Sequence, residues 1–141
     1  MDNTDLLIIE TLKKNGRASM KQIAKKTGIP ITTVHYRLKS MENKKAIRFT
    51  ARADRKFLGR ELMAYILVRV MPGVDHEKIF QEIMKRNEVE QGAVLTGEFD
   101  LIFRISVKNM EEMNDFVLKY LRMHKDISET RTMICYDLVG K

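Results

Sequence analysis

The stretch from Arg17 to Met41 constrains the fold more than any other part of the chain. Ser19 followed three residues later by Gln22 is a capping-box signature, which predicts a helix from about Met20. Ile23 and Ala24 give that helix an apolar stripe. Thr27 and Gly28 end it, with Gly28 free to take a left-handed C′ conformation. Pro30 bars helical continuation and biases Ile29 away from the helical region. Val34, Leu38 and Met41 then recur at i, i+4 and i+7, the buried face of a second helix. Thr32, Thr33, Tyr36 and Lys39 fall largely on its other side. Two short helices about a glycine turn, the second ending in basic residues, read as a helix-turn-helix. The second helix of such a pair lies in the DNA major groove, where hydroxyls, a phenol and an ammonium reach base edges and phosphates. The competing reading is a pair of surface helices whose polar faces are merely solvated.

Charge separates the two readings. The chain is formally +7, and the excess is not spread evenly. Residues 1–60 hold 15 Lys/Arg against 5 Asp/Glu, whereas residues 61–141 hold 11 against 14. A basic first half joined to a mildly acidic second half points to a polyanion-binding domain and a domain with another task. Binding to a membrane surface would call for a long helix with a strong apolar face and flanking aromatics, and none is visible.

A first helix fits residues 3–14, capped by Asp2, with Asp5 at its positive end, Ile8, Ile9 and Leu12 inward, and Gly16 ending it. Three helices thus precede residue 46, enough for a small winged or tri-helical domain. The stretch Ile47 to Ala53 is basic on alternate positions and is expected to form a wing or connecting strand. Asp54 to Gly59 is the expected hinge. The single cysteine, Cys135, excludes an internal disulfide and sits in an apolar alternating run, which suggests a buried structural thiol. No secretory signal and no apolar run of membrane-spanning length is visible, so a cytoplasmic protein is expected.

The second half repeats its elements. Leu62 to Met71 reads as a strand broken by Pro72-Gly73, and residues 75–86 as a helix with Ile79, Phe80 and Ile83 inward. Val89 to Thr96 and Leu101 to Val107 read as strands joined by a tight Gly97-Glu98 turn. Asn109 with Glu112 marks another helix start, with Met110, Met113, Val117, Tyr120 and Leu121 on one face. Thr130 to Leu138 is the last expected strand. The order βαββαβ is that of a ferredoxin-like unit with a four-stranded sheet, giving an α+β fold class. Its helices cover one face only. Whichever register is chosen, the uncovered face is too apolar for plain solvation: one face of the first strand offers Leu62, Ala64, Ile66, Val68 and Val70, the other Met63, Tyr65, Leu67, Arg69 and Met71, which implies a sheet-to-sheet homodimer. A two-fold dimer would also present two recognition helices to one duplex, about 34–36 Å apart or a multiple of that. The expected domains are 1–47 for DNA binding, 48–60 as connecting strand and hinge, and 61–141 for sensing and dimerisation.

The chain as a whole resembles the Lrp/AsnC (feast/famine) transcriptional regulators. The opening Asp2-Asn3-Thr4-Asp5 with Ile8, Ile9, Leu12 and Asn15-Gly16-Arg17 is similar to that family's start. Val34-His35-Tyr36-Arg37-Leu38 resembles its recognition helix, Thr96 to Leu101 its effector-domain turn, and Thr130-Arg131-Thr132 its last strand. The resemblance implies double-stranded DNA as partner, a ligand-sensing domain with amino acids as usual effectors, and dimers that assemble further into tetramers or octamers. Two positions depart from the pattern. Pro30 stands where the family often has a capping Ser, a loss of about 1 kcal/mol unless Thr32 or Thr33 compensates. Lys45 stands where the family usually has Gly, so it must either take a strained left-handed conformation or move the helix end.

Two sets of site residues follow. In the first, Thr32, Thr33, His35 and Tyr36 approach base edges while Lys21, Arg37, Lys39 and Arg48 hold phosphates. The competing role for Arg37 is an ion pair with an acid of the first helix, and for His35 that of a plain surface residue. In the second, Thr96, Gly97, Glu98, Phe99 and Asp100 line an effector site at a subunit interface, completed by Thr130 or Thr132 of a neighbouring chain. Asp100 would receive an ammonium, and backbone N–H groups near Gly97 a carboxylate. The competing reading is a hairpin that needs its glycine and whose Asp caps the turn. The three histidines are scattered, with no metal-ligand spacing, nucleophile motif or phosphate loop, so neither an enzyme nor a cofactor is expected. Two alternatives remain beside the regulator: an architectural protein with little sequence preference, and a sirohaem-decarboxylase-like enzyme, since those enzymes share the two-domain plan and bind a tetrapyrrole.

Overall fold

The computed structural model describes residues 2–136. The chain divides between Arg52 and Ala53 into two compact units.

The first unit is three helices, α1 (Asn3–Lys14), α2 (Met20–Thr27) and α3 (Ile31–Asn43). Their ends follow local chemistry. The Asp2 carboxylate accepts from the Asp5 N–H and caps α1. Ser19 and Gln22 form both bonds of the capping box on α2, and Gly28 closes it at φ +74°. Pro30 caps α3 by position only, without a side-chain hydrogen bond, so neither Thr32 nor Thr33 compensates. At the other end of α3, the Lys45 N–H donates to the Glu42 carbonyl and the Ala46 N–H to the Met41 carbonyl. That is a Schellman closure, and it places Lys45 at φ +55°, a conformation that suits glycine. Ile8, Leu12, Ile23, Val34, Leu38 and Met41 form the core, each contributing roughly 1.5–3 kcal/mol of burial. Ile9 is half-buried at its edge.

The strand expected over Ile47–Ala53 does not form. Alternating basic residues supply the period of a strand, but a strand also needs a neighbouring edge to take its N–H and C=O groups, and no ladder reaches these residues. The tri-helical arrangement stands without a wing strand. The expected hinge is an ordered turn: the Asp54 carboxylate accepts from the Phe57 N–H, and its carbonyl from the Leu58 N–H.

The second unit runs β1 (Leu62–Val70), α4 (His76–Met84), β2 (Val89–Val94), β3 (Leu101–Val107), α5 (Met110–Asn114, continuing as a π-helical stretch Asp115–Leu121) and β4 (Ile127–Ile134). The sheet order is β2-β3-β1-β4 with every pairing antiparallel, the ferredoxin-like arrangement. Ala64, Ile66, Val68 and Val70 of β1 face the helices with Leu101, Phe103 and Ile105 of β3 and Ile79 and Ile83 of α4. The last strand starts three residues earlier than expected, because a register shift beside Val70 lets Ile127 pair there. Leu138, the expected end of that strand, lies outside the described residues. Two side chains depart from the expected helix face: Phe116, three residues after Met113 and on the same side, is fully buried, and Met110, the first residue of α5, is 48% exposed.

Candidate functional site

The exposed side of α3 carries Thr32, His35, Tyr36 and Lys39, spaced i, i+3, i+4 and i+7 on one stripe. Its buried side carries Val34, Leu38 and Met41. Tyr36 is 71% exposed. Thr33 is half-buried on a flank, one turn ahead of Arg37. Lys21 on α2 and Arg48 after α3 are exposed.

Arg37 takes the competing role. Its Nη2 lies 2.6 Å from Asp2 Oδ2 and its Nη1 3.6 Å from Asp5 Oδ1. The Asp5 oxygen is buried and has no hydrogen-bond partner among the described residues, so the guanidinium is its nearest compensation. The Asp2 carboxyl is held below its ordinary range, first by the Asp5 N–H it accepts and then by the Arg37 charge, against the opposing effect of desolvation. Charge pairing and capping thus converge on one carboxylate, which joins the start of α1 to the middle of α3.

The Thr96–Asp100 turn sits at the end of the β2–β3 hairpin, with Gly97 at φ +115°. Phe99 is buried, with the Arg69 and Arg131 guanidinium carbons 4.9 and 5.0 Å from its ring centroid. Arg69 also pairs with Glu98 at 3.4 Å and Glu129 at 2.8 Å, which ties the turn to β4. Asp100 Oδ2 accepts from the Val70 N–H at 2.7 Å, and Oδ1 lies 3.9 Å from His76 Nε2. The carboxylate expected to meet an ammonium is therefore already committed on one oxygen to the end of β1. Thr130 lines an open depression of about 200 Å³ with Arg122, Ile127, Ser128 and Glu129, and Thr96–Asp100 are not among its walls. Thr132 is half-buried further along β4, paired with Ile66. That depression therefore holds only the Thr130 half of the expected effector set, although Arg131 on the Phe99 ring links β4 to the turn.

The sheet face away from the helices carries Tyr65, Leu67, Ile102 and Met133 among Arg69, Arg104, Glu129 and Arg131. Met63 and Ser106, paired across β1 and β3, are buried, so the chain itself covers that end. Beside them Glu90 of β2 pairs with Arg55 at 3.0 Å and Arg104 at 3.1 Å. Burial raises the Glu90 carboxyl, but Ser106, Arg55 and Arg104 outweigh it and hold the group below its ordinary range. Cys135 is half-buried rather than a core thiol, and its N–H donates to the Met63 carbonyl. Among the described residues no cluster of three His, Cys, Asp or Glu side chains could hold a metal ion, and no helix is long and apolar enough to cross a membrane.

A helix-turn-helix unit with an exposed polar recognition stripe, followed by a ferredoxin-like sheet unit, defines a DNA-binding transcriptional regulator with a separate ligand-binding domain. Comparison with known proteins agrees. Residues 1–48 match the winged helix-turn-helix DNA-binding model, and residues 63–139 the Lrp/AsnC ligand binding domain. The chain is 34% identical over 139 residues to an uncharacterised HTH-type transcriptional regulator of Pyrococcus furiosus, covering 96% of this chain and 93% of that one. It is 33% identical over 135 residues to the HTH-type transcriptional regulator FL11 of Pyrococcus abyssi, covering 95% and 88%. Its fold matches a Neisseria meningitidis transcriptional regulator solved as an L-Met complex, with a TM-score of 0.91 at 23% identity over 100% of this chain and 93% of that one. The chain belongs to the Lrp/AsnC family. That family consists of transcriptional regulators rather than enzymes, which removes the tetrapyrrole alternative.

Proposed function

We propose that this chain regulates transcription by sequence-specific binding, with Thr32, Thr33, His35 and Tyr36 at base edges and Lys21, Lys39 and Arg48 on phosphates. The observation that carries the reading is the polar stripe of α3, exposed opposite an apolar face that is wholly buried. Arg37 braces α3 against α1 instead of holding phosphate. Residues 1–47 bind DNA, 48–60 connect, and 61–141 sense and dimerise.

The effector is an amino acid or a related small molecule, the class that the L-Met complex of the Neisseria regulator suggests. It binds where the Thr96–Asp100 turn of one subunit meets Thr130 or Thr132 of another. The turn is absent from the walls of the depression that Thr130 lines, which favours completion of the site by a second subunit. The sheet face bearing Tyr65, Leu67, Ile102 and Met133 forms the homodimer, and dimers assemble into a tetramer or octamer. Action on DNA places the protein in the cytoplasm.

The test is binding to the duplex upstream of the protein's own gene against a scrambled duplex of equal length, at two salt concentrations, with and without a mixture of the twenty amino acids. Tighter binding to the native duplex, shifted by the mixture, supports both parts of the reading. Tighter binding without a shift removes the effector. Equal, salt-sensitive binding to both duplexes establishes the architectural alternative. Light scattering on the full chain tests assembly, and a monomer overturns the sheet-face dimer.

A further inference from the structure

The recognition helix begins unlike the other helices of this chain. Among the described residues α1, α2, α4 and α5 each start with a polar side chain that accepts from a first-turn N–H: Asp2, Ser19, Asp75 and Asn109. Of the five described helices only α3 starts without a side-chain cap, at Pro30; like α2, it has no acid in its first turn. Its first residue is Ile31, whose surface is 49% exposed, while Val34, Leu38 and Met41 on the same helix are buried. Pro30 beside it is also exposed, so the tip of α3 is apolar over two residues.

A single exposed isoleucine needs no explanation on an arbitrary surface. This position is not arbitrary. The first residues of a recognition helix are those that contact base edges. Ile31 stands directly before Thr32 and one turn ahead of His35, both in the exposed polar stripe. An acid or a capping carboxylate here would stabilise the helix but repel the phosphates that flank the groove. A neutral polar cap would avoid that repulsion, yet the chain has neither. An apolar branched side chain at this point gains nothing from hydrogen-bonding groups of bases. The one apolar group that base edges offer in the major groove is the thymine C5-methyl.

We infer that Ile31 is a specificity-determining residue that packs on the C5-methyl of a thymine in each half-site. The inference rests on the sequence-specific reading above. Burying one methyl against a branched side chain gives about a fourfold preference at that base pair.

Deoxyuridine lacks only the C5-methyl, which makes the test atomic. Duplexes enriched by the wild-type protein from a random library are resynthesised with each thymine in turn replaced by deoxyuridine. Dissociation constants are measured for wild type, Ile31→Val and Ile31→Ala, with melting curves confirming that the variants fold. The expected result is one thymine per half-site whose demethylation weakens the wild type about fourfold, Ile31→Val by less, and Ile31→Ala not at all. A wild type indifferent to every replacement overturns the inference, as does an equal penalty in Ile31→Ala or an enriched half-site without thymine. Failure to enrich any sequence overturns the sequence-specific reading as well, so the two failures are told apart.

Discussion

Arg37 of the recognition helix pairs with Asp2, the residue that caps α1, across 2.6 Å. The guanidinium is therefore spent within the protein, next to the exposed stripe it was expected to join. Lys39, two residues on, lies in that stripe and makes no ion pair among the described residues. The two cations should behave differently on substitution. Lys39→Ala should lower the slope of log affinity against log salt by about 1, since one phosphate contact is lost. Arg37→Ala should leave that slope unchanged and lower the melting temperature, because it strands the buried Asp5 oxygen. Titrations at four salt concentrations, with thermal melts of both variants, check this.

Lys45 holds a left-handed conformation at φ +55° to complete the closure of α3. Glycine takes that conformation without the clash of a Cβ. Lys45→Gly should stabilise the first unit by about 0.5–1 kcal/mol, after the added freedom of the unfolded chain is deducted. Urea denaturation measures it.

Gly92 is the converse case, where space rather than backbone conformation demands glycine. A Cβ there would lie 2.8 Å from Met84 Sδ and 2.8 Å from the Phe103 ring. Phe103 is fully buried between β1 and α4 and cannot retreat. Gly92→Ala should cost about 1–3 kcal/mol. The melting curve should shift accordingly.

Asp100 separates scaffold from sensor. Its Oδ2 accepts from the Val70 N–H, and an asparagine carbonyl oxygen can do the same. Asp100→Asn should keep most of the stability and lose the response of DNA binding to amino acids. Asp100→Ala should lose both, at about 1–3 kcal/mol for the orphaned N–H. A full amino-acid response in Asp100→Asn would show that no ammonium depends on this carboxylate.

Glu90 should make the second unit acid-sensitive. Its folded pKa lies below the unfolded value, so its stabilisation is present above the ordinary carboxylate range and is lost as pH falls through the depressed folded value. Glu90→Gln should therefore be less stable than wild type at neutral pH, with the difference shrinking as the medium is acidified below about pH 4.5. Melting temperatures of both proteins from pH 3 to 7 test this.

Much of the scaffold was legible in the residues because its signals are local. Asp2, Ser19 with Gln22, and Gly28 marked helix ends that the structure keeps within a residue or so. The alternation in Leu62–Val70 separated two faces of β1 without deciding which one meets the helices; packing turns Ala64, Ile66, Val68 and Val70 to the core. The misreadings share a different character. Ile47–Ala53 has the period of a strand, but pairing depends on an edge supplied from elsewhere. Phe116 is different: it stands at helical spacing from Met113 and Tyr120, so its burial was legible in the residues. Ile31 went unnoticed as a site residue because an apolar residue after Pro30 carries no motif. Its uncapped, exposed setting is visible only beside the other helices.

The sequence by itself determined the helix caps, the hydrophobic periodicities, the element order and the asymmetry of charge between the two halves. Each depends on residues a few positions apart or on composition, so a linear reading suffices. Only the tertiary structure decided which partner each polar group takes. Arg37 meets Asp2 across 35 residues, and Asp100 meets Val70 across 30. A carboxylate or guanidinium can satisfy several partners equally well, and the choice among them falls to packing, which brings one within hydrogen-bonding distance and leaves the rest in water.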